Sequence, residues 1–281
     1  MSSKVRVFRH GDNFIKYRYL LRELVNKSVK LQYRNSVLGM FWTFLQPLMT
    51  MIVLSIVFSN LFGRNSAEVV NYPVYLLSGR LMHEFFTQST KRGMRAIRSN
   101  ASIIKKVYVP KYIYPLSSVL STFVTFLISL LVLVVVILFF NIINKNPIAI
   151  SWQIIFAVVP IIVLFLMSLG VGMILCTLDV FFKDVENLYD VFTLLLFYLT
   201  PIVYTVDKLG FEPGSWKETL LRINPMYGII DMFRAAVLHS TEFAAYFDIN
   251  ALWYTLGFAG VMLLIGFALF YKCQDRFILH I

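Results

Sequence analysis

Charge is scarce in this sequence: Asp, Glu, Lys and Arg make up only 15% of its 281 residues, while 58% are hydrophobic. Soluble domains carry about a quarter charged residues, so a soluble globular fold is excluded. Cysteine is nearly absent. Cys176 and Cys273 have no CxxC spacing, which argues against a disulfide framework or a zinc site. No G-x-x-x-x-G-K-[ST] occurs, so the chain has no loop to cradle nucleotide phosphates. There is no D-x-D pair of acids of the kind a metal-dependent glycosyltransferase uses, and no selectivity-filter or charge-ring pattern of an ion channel. Residues 1 to 36 lack an apolar core followed by small residues, so no cleavable signal peptide is expected.

What is present is long uncharged sequence. Residues 35–63, 112–144, 146–178, 191–206 and 249–271 carry no charge, and 71–90 is apolar apart from Arg80, His83 and Glu84. A span needs about 20 apolar residues, and continuous rather than alternating runs favour helices over a barrel. The expectation is an all-α membrane protein of six transmembrane helices. The basic residues set its orientation. Nine Lys and Arg lie in residues 1–36 and seven in 91–111, against one each in 64–70 and 145–151. This places both termini and the 91–111 loop in the cytoplasm. The net charge of +11 is thereby explained by topology, and no nucleic-acid partner is expected. The 179–190 connection fits the rule poorly, with one lysine and four acids.

Two segments fall outside the spans. In "YRYLLRELVNKSVKLQYRNS", Leu21, Val25, Val29 and Tyr33 recur every four residues opposite Arg22, Lys27, Lys30 and Arg34. That pattern predicts an amphipathic helix lying in the membrane interface. Residues 1–36 therefore read as a cytoplasmic N-terminus and 37–281 as the transmembrane domain. Residues 207–248 carry an apolar helical pattern too short to span, after Pro201, Pro213 and Pro225. They read as a re-entrant external hairpin between helices 5 and 6, or as a loop on the headgroups.

In order, "YRNSVLGMFWTFLQPL", "YPVYLLSGRLMHEFF", "SNASIIKKVYVPKYIYPLS", "FYLTPIVYT", "INPMYGIIDMFRAAVL" and "DRFILHI" resemble the permease subunits of ABC-2 type exporters of polysaccharide, O-antigen and teichoic acid. The resemblance covers nearly the whole chain from about residue 20. It implies a homodimer in the bacterial plasma membrane, served by two copies of a separate ATPase subunit that holds ATP and Mg. It also implies a lipid-linked polysaccharide as cargo, with no cofactor and no catalytic residue in this chain. Two departures stand out. This chain has Pro110-Lys111-Tyr112 where many relatives read "PRE", and Arg80, Met82 and His83 where an apolar residue and "PW" are common. Rival readings are an ABC-2 exporter of a small lipid or drug, and a membrane-embedded glycosyltransferase.

On this resemblance, residues 99–107 form a coupling helix capped by Ser99 or Ser102, with Asn100 at its start. Ile103, Ile104 and Val107 are the apolar anchors for the ATPase, and Lys105 and Lys106 meet acids or headgroups. The bland alternative is a topology-setting loop. Asp184 and Glu186 are either a second ATPase contact or helix-end stabilisers. Arg80 and Glu84, four apart, pair on one helical face. With His83 they line the substrate pathway or sit at the outer interface, while Phe85, Phe197, Tyr198 and Tyr204 either stack on sugar rings along that pathway or are packing and lipid-facing residues. Lys30 and Arg34 meet a carrier phosphate or lipid headgroups. Pro201, Asn224, Pro225, Phe233 and Arg234 form an external gate.

Overall fold

The computed structural model describes residues 4–34, 36–58, 71–106, 109–143, 148, 151–206, 216–241 and 243–280. Among the described residues the chain is helical and has no strand. In order the helices are α1 (Lys4–Tyr33), α2 (Trp42–Phe58), α3 (Tyr72–Ser99), α4 (Ala101–Ile104), α5 (Ile113–Ile143) and α6 (Val158–Phe181). Then follow α7 (Val185–Leu199), α8 (Trp216–Ile223), α9 (Pro225–Leu238), α10 (Phe243–Tyr246), α11 (Ile249–Cys273) and α12 (Phe277–His280). Among the described residues four stretches are long and apolar enough to cross a bilayer: Gly39–Phe58, Ile113–Ile143, Trp152–Phe181 and Ile249–Leu279. Gly39–Phe58 and Ile249–Leu279 bury few side chains, whereas α6 buries more than half of its own, and α5 turns one face outward. The apolar Leu131, Val135 and Ile142 lie on that face.

The bundle is organised around α3, which packs against both α5 and α6, while α11 closes on α6. Helix α3 is too polar to read as a span by composition, yet it is the most enclosed long helix, with Val74, Leu76, Met82, Met94 and Ile97 shut off from the surface. At 28 residues it is about 42 Å long. Glycines set the two closest crossings. A Cβ on Gly93 would meet the Cα of Gly172 at 3.4 Å, and one on Gly170 would lie 2.6 Å from the backbone of Met262 and Leu263. Small residues let membrane helices approach backbone to backbone. Polar side chains in these helices mostly turn back on their own backbone. Thr90 donates to the Phe86 carbonyl at 2.7 Å and Thr177 to that of Met173 at 3.0 Å, which avoids unpaired donors in apolar surroundings.

The amphipathic pattern of α1 segregates as expected. Leu20, Leu21, Leu24, Val25 and Val29 face inward, and Arg22, Asn26, Lys27, Lys30 and Arg34 are exposed. The inner face lies along α5, where the Ser28 and Ser121 hydroxyls meet at 3.1 Å. Helix α7 differs. Only Tyr189 and Thr193 are buried along it, and Leu188, Val191, Leu195 and Tyr198 stand out as an apolar stripe.

Candidate functional site

At the basic end of α3, Lys91, Arg95 and Arg98 occupy one face, spaced four and three apart. They meet the acids that flank the turn between α6 and α7. Lys91 Nζ lies 2.7 Å from Asp190 Oδ1 and Arg98 lies 3.4 Å from Asp179 Oδ1. Glu186 receives both Arg95 and Arg98. The Asp179 side chain is fully enclosed. The Arg98 hydrogen bond, assisted by the nearby Arg95 charge, holds the Glu186 carboxyl below its ordinary value. Glu186 is thus engaged within the chain rather than offered to a partner, whereas Asp184 is exposed.

The turn after α3 is shorter than the sequence suggested. Helix α4 covers only Ala101–Ile104, and Asn100 rather than Ser99 or Ser102 holds the capping position. Ser99 is still the last residue of α3, with its hydroxyl bonded back to Ala96 O at 3.3 Å; the Asn100 amide donates to the same carbonyl at 2.8 Å. The assignment of Ile104 as a partner-facing anchor is corrected. It is only 8% exposed and packs among Ala96, Ile97, Tyr114, Cys176, Phe270 and Phe277. The reason is packing: after the break at Asn100, α4 turns Ile104 into the closed cluster that also holds Ile97. Ile103 is half-buried, beside the exposed Lys105 and Lys106. Val107 lies outside the described residues.

The polar cluster in the middle of α3 divides. Arg80 Nε and Glu84 Oε2 are 4.0 Å apart, as their spacing predicts. Glu84 also accepts from Gln46 at 3.2 Å and Gln88 at 2.9 Å, which turns it toward α2. It borders a cleft of about 250 Å³ with Thr43, Gln46, Thr125 and Phe126. His83 points elsewhere, into an edge contact with Phe197 of α7, ring centroids 5.3 Å apart. Phe197 in turn abuts the exposed Tyr198. Phe85 lines the same cleft as Glu84, stacked on Phe126 at 4.8 Å. The single pathway cluster expected from sequence is therefore divided, with Glu84 and Phe85 on the α2 cleft and His83 turned toward α7.

The opposite end of α3 holds the most connected polar site. Arg234 of α9 is buried and donates to the carbonyls of Pro201 (2.7 Å), Tyr75 (3.1 Å) and Ile202 (3.2 Å). Its guanidinium sits 3.5 Å from the Tyr75 ring centroid. Tyr75 bonds the Tyr204 carbonyl at 3.1 Å, and Tyr72 that of Val203 at 2.7 Å. The Tyr204 hydroxyl reaches back to Tyr198 O at 2.7 Å. Asn224 caps α9 through Met226 N at 3.0 Å and donates to the Thr200 hydroxyl at 2.9 Å. Pro225 opens α9 and Phe233 is enclosed beneath it. Gly79 makes room, since a Cβ there would strike the Arg234 guanidinium. Sequence reasoning named Arg234 and Pro201 but missed Tyr72, Tyr75 and Gly79. Their one-turn spacing along one face of α3 was the available signal.

Lys30 and Arg34 are exposed and line a shallow groove along α1 with Leu20, Leu24 and Leu31. Among the described residues no group of His, Cys, Asp and Glu has the geometry of a metal site.

Comparison with known proteins agrees with this architecture. Residues 19–238 match the model of the family described as ABC-2 type transporter. The chain is 30% identical over 261 residues to the O-antigen export system permease protein RfbA of Klebsiella pneumoniae, covering 92% of this chain and 93% of that protein. A Myxococcus xanthus protein of the same name is 28% identical over 219 residues, 78% and 80% of the two chains. The polysialic acid transport protein KpsM of Escherichia coli is 21% identical over 220 residues, 75% and 78%. With a family match spanning most of its length, this chain belongs to the ABC-2 type transporter family.

Proposed function

We propose that the chain is the membrane subunit of an ATP-driven exporter that moves a lipid-linked polysaccharide outward across the bacterial inner membrane. Its similarity to an O-antigen export permease over nine-tenths of both chains carries this reading. The absence of a phosphate-cradling loop from the sequence supports a separate ATPase partner. Two further helices complete six spans: α3, whose length suits a bilayer although its basic end projects beyond it, and α7 continued through the turn to residue 206. The basic end of α3, both termini and the 91–111 loop face the cytoplasm.

Two copies associate, and the apolar stripe of α7, left uncovered in the single chain, is the natural seam and conduit wall. His83, Phe197 and Tyr198 border that side and offer aromatic faces to sugar rings. Arg80 and Glu84 remain in the pathway reading through the α2 cleft. On the outer side, α8 and α9 form the re-entrant hairpin. Fourteen residues cannot span, yet α9 is buried on nearly all sides. Arg234 fastens it to the 200–206 turn, making this unit the outer gate. On the cytoplasmic side, Ile103 with Lys105 and Lys106 docks on the ATPase. The Arg95–Arg98–Glu186 pairs tie that docking turn to α7 and transmit its motion. Lys30 and Arg34 rest on phosphate headgroups beside the first span.

The test is depletion of the chain in its host. Lipid-linked polysaccharide should accumulate on the inner face and disappear from the cell surface, with recovery on re-expression. Unchanged surface polysaccharide would defeat the reading.

A further inference from the structure

Between α1, the basic end of α3, α4 and the start of α5 lies a groove of about 560 Å³. Its lining includes Lys27, Arg92 and Arg95, and no acidic side chain. Arg95 is answered by Glu186, which lies outside the groove. Arg92 is half-buried and spends one donor on the neutral Gln32 amide at 3.0 Å. No carboxylate is paired with Arg92 or Lys27 among the described residues. Burial pushes the Arg92 guanidinium below its ordinary value, so this cation sits where it lacks both full hydration and a counter-charge. The Ser102 and Ser118 hydroxyls add hydrogen-bonding capacity on the groove's other walls, and Leu24, Leu31 and Ile103 give it apolar flanks.

We propose that this groove is a phosphate-binding site, and that its occupant is the headgroup of an anionic phospholipid of the inner leaflet. Two cations without carboxylates call for an anion. Guanidinium and hydroxyls suit the oxygens of a phosphate, and apolar flanks beside an interfacial helix suit an amphiphile rather than a free ion. The site adjoins the shallow groove of Lys30 and Arg34, sharing Leu24, Lys27 and Leu31 with it, and is set apart by Arg92 and the Ser102 and Ser118 hydroxyls. A bound headgroup would bridge α1 to the turn carrying Ile103, so lipid composition would set how firmly the ATPase-docking turn is held. The location at the inner surface rests on the proposed orientation; the binding chemistry does not.

The experiment is equilibrium binding of radiolabelled dihexanoylphosphatidylglycerol to the full chain in detergent. Saturable binding is expected. Lys27→Gln and Arg92→Gln should each weaken it about tenfold, the loss of one charge-assisted hydrogen bond. Arg92→Lys should retain part of the affinity, and Lys272→Gln, an exposed cation elsewhere, should change nothing. Competition by inorganic phosphate or pyrophosphate at matched concentration would support the phosphate site while assigning it to free phosphate. Resistance to them would support the headgroup. Unaltered binding in both Lys27→Gln and Arg92→Gln would overturn the proposal, as would equal affinity for dihexanoylphosphatidylcholine. Loss of ATPase association in these variants without loss of lipid binding would also overturn it and reassign the cations to that partner. Should Arg92→Gln fail to fold, Arg92→Lys decides, since Lys27 also lines the adjoining groove. The assay uses neither ATP nor cargo, so its failure leaves the export reading standing.

Discussion

Adding one methyl group at Gly79 should unfasten Arg234. A Cβ there overlaps the guanidinium, with Cζ at 3.2 Å, while the next neighbour, Ile230, is at an ordinary 3.5 Å. The arginine must move, and any movement breaks some of its three bonds to Pro201, Tyr75 and Ile202. Hydrogen bonds to a charged group contribute about 1.5–3 kcal/mol each. Losing one of them therefore costs about 1.5–3 kcal/mol, against a gain of about 1 kcal/mol for alanine over glycine in a helix. Gly79→Ala should destabilise the chain by about 0.5–2 kcal/mol. In an Arg234→Leu background the same change has nothing to displace and should be neutral or slightly stabilising. The double-mutant cycle should show a coupling of about 2 kcal/mol, read from unfolding midpoints in detergent by intrinsic fluorescence. Effects that add within about 0.5 kcal/mol would refute the reasoning.

Other outcomes follow from the same geometry. Ile103→Asp should release the ATPase during copurification and leave the unfolding midpoint nearly unchanged. Ile104→Asp should lower the midpoint, because it places a charge in a closed apolar cluster; equal effects of the two on stability would contradict the placement of Ile104. The depressed Glu186 carboxyl stabilises the fold above its unfolded-state value of about 4.5, and this is lost as pH falls through the lower folded value. Thermal midpoints of Glu186→Gln should therefore be less sensitive to acid than those of the parent; parallel curves would count against the Arg98 pairing. Gly170→Leu should disrupt the α6–α11 crossing and reduce folded yield. Gly257→Ala, with nothing within 4 Å of the added carbon, should be tolerated.

Helix identity was legible wherever charge was absent for twenty residues, since a bilayer imposes its length on the sequence. The stripe of α1 was legible because one face packs on α5. Helix α3 was harder. Arg80, His83, Glu84 and nine later polar or basic positions hide its apolar face, and its enclosure comes chiefly from α5 and α6, with α2 and α9 beside them, which no local pattern reveals. Ile104 was misassigned for a related reason. Two adjacent isoleucines in a basic loop resemble a matched pair of anchors, and only packing against Ile97 and Phe277 separates them. The ion pairs across 91–98 and 179–190 were written as complementary charge, but distance in sequence concealed the match. Tyr75 and Gly79 drew no attention alone, because their meaning comes from Arg234 more than 150 residues away.

On the proposed function, ATP hydrolysis on another polypeptide should drive the opening of a passage formed by this chain. The direct test is reconstitution of the purified chain with its ATPase in vesicles loaded with lipid-linked polysaccharide on the ATPase side. Glycan should reach the opposite side only with ATP and both proteins, and not with a hydrolysis-deficient ATPase. Transfer by the chain alone, or at the same rate without hydrolysis, would contradict the proposed function.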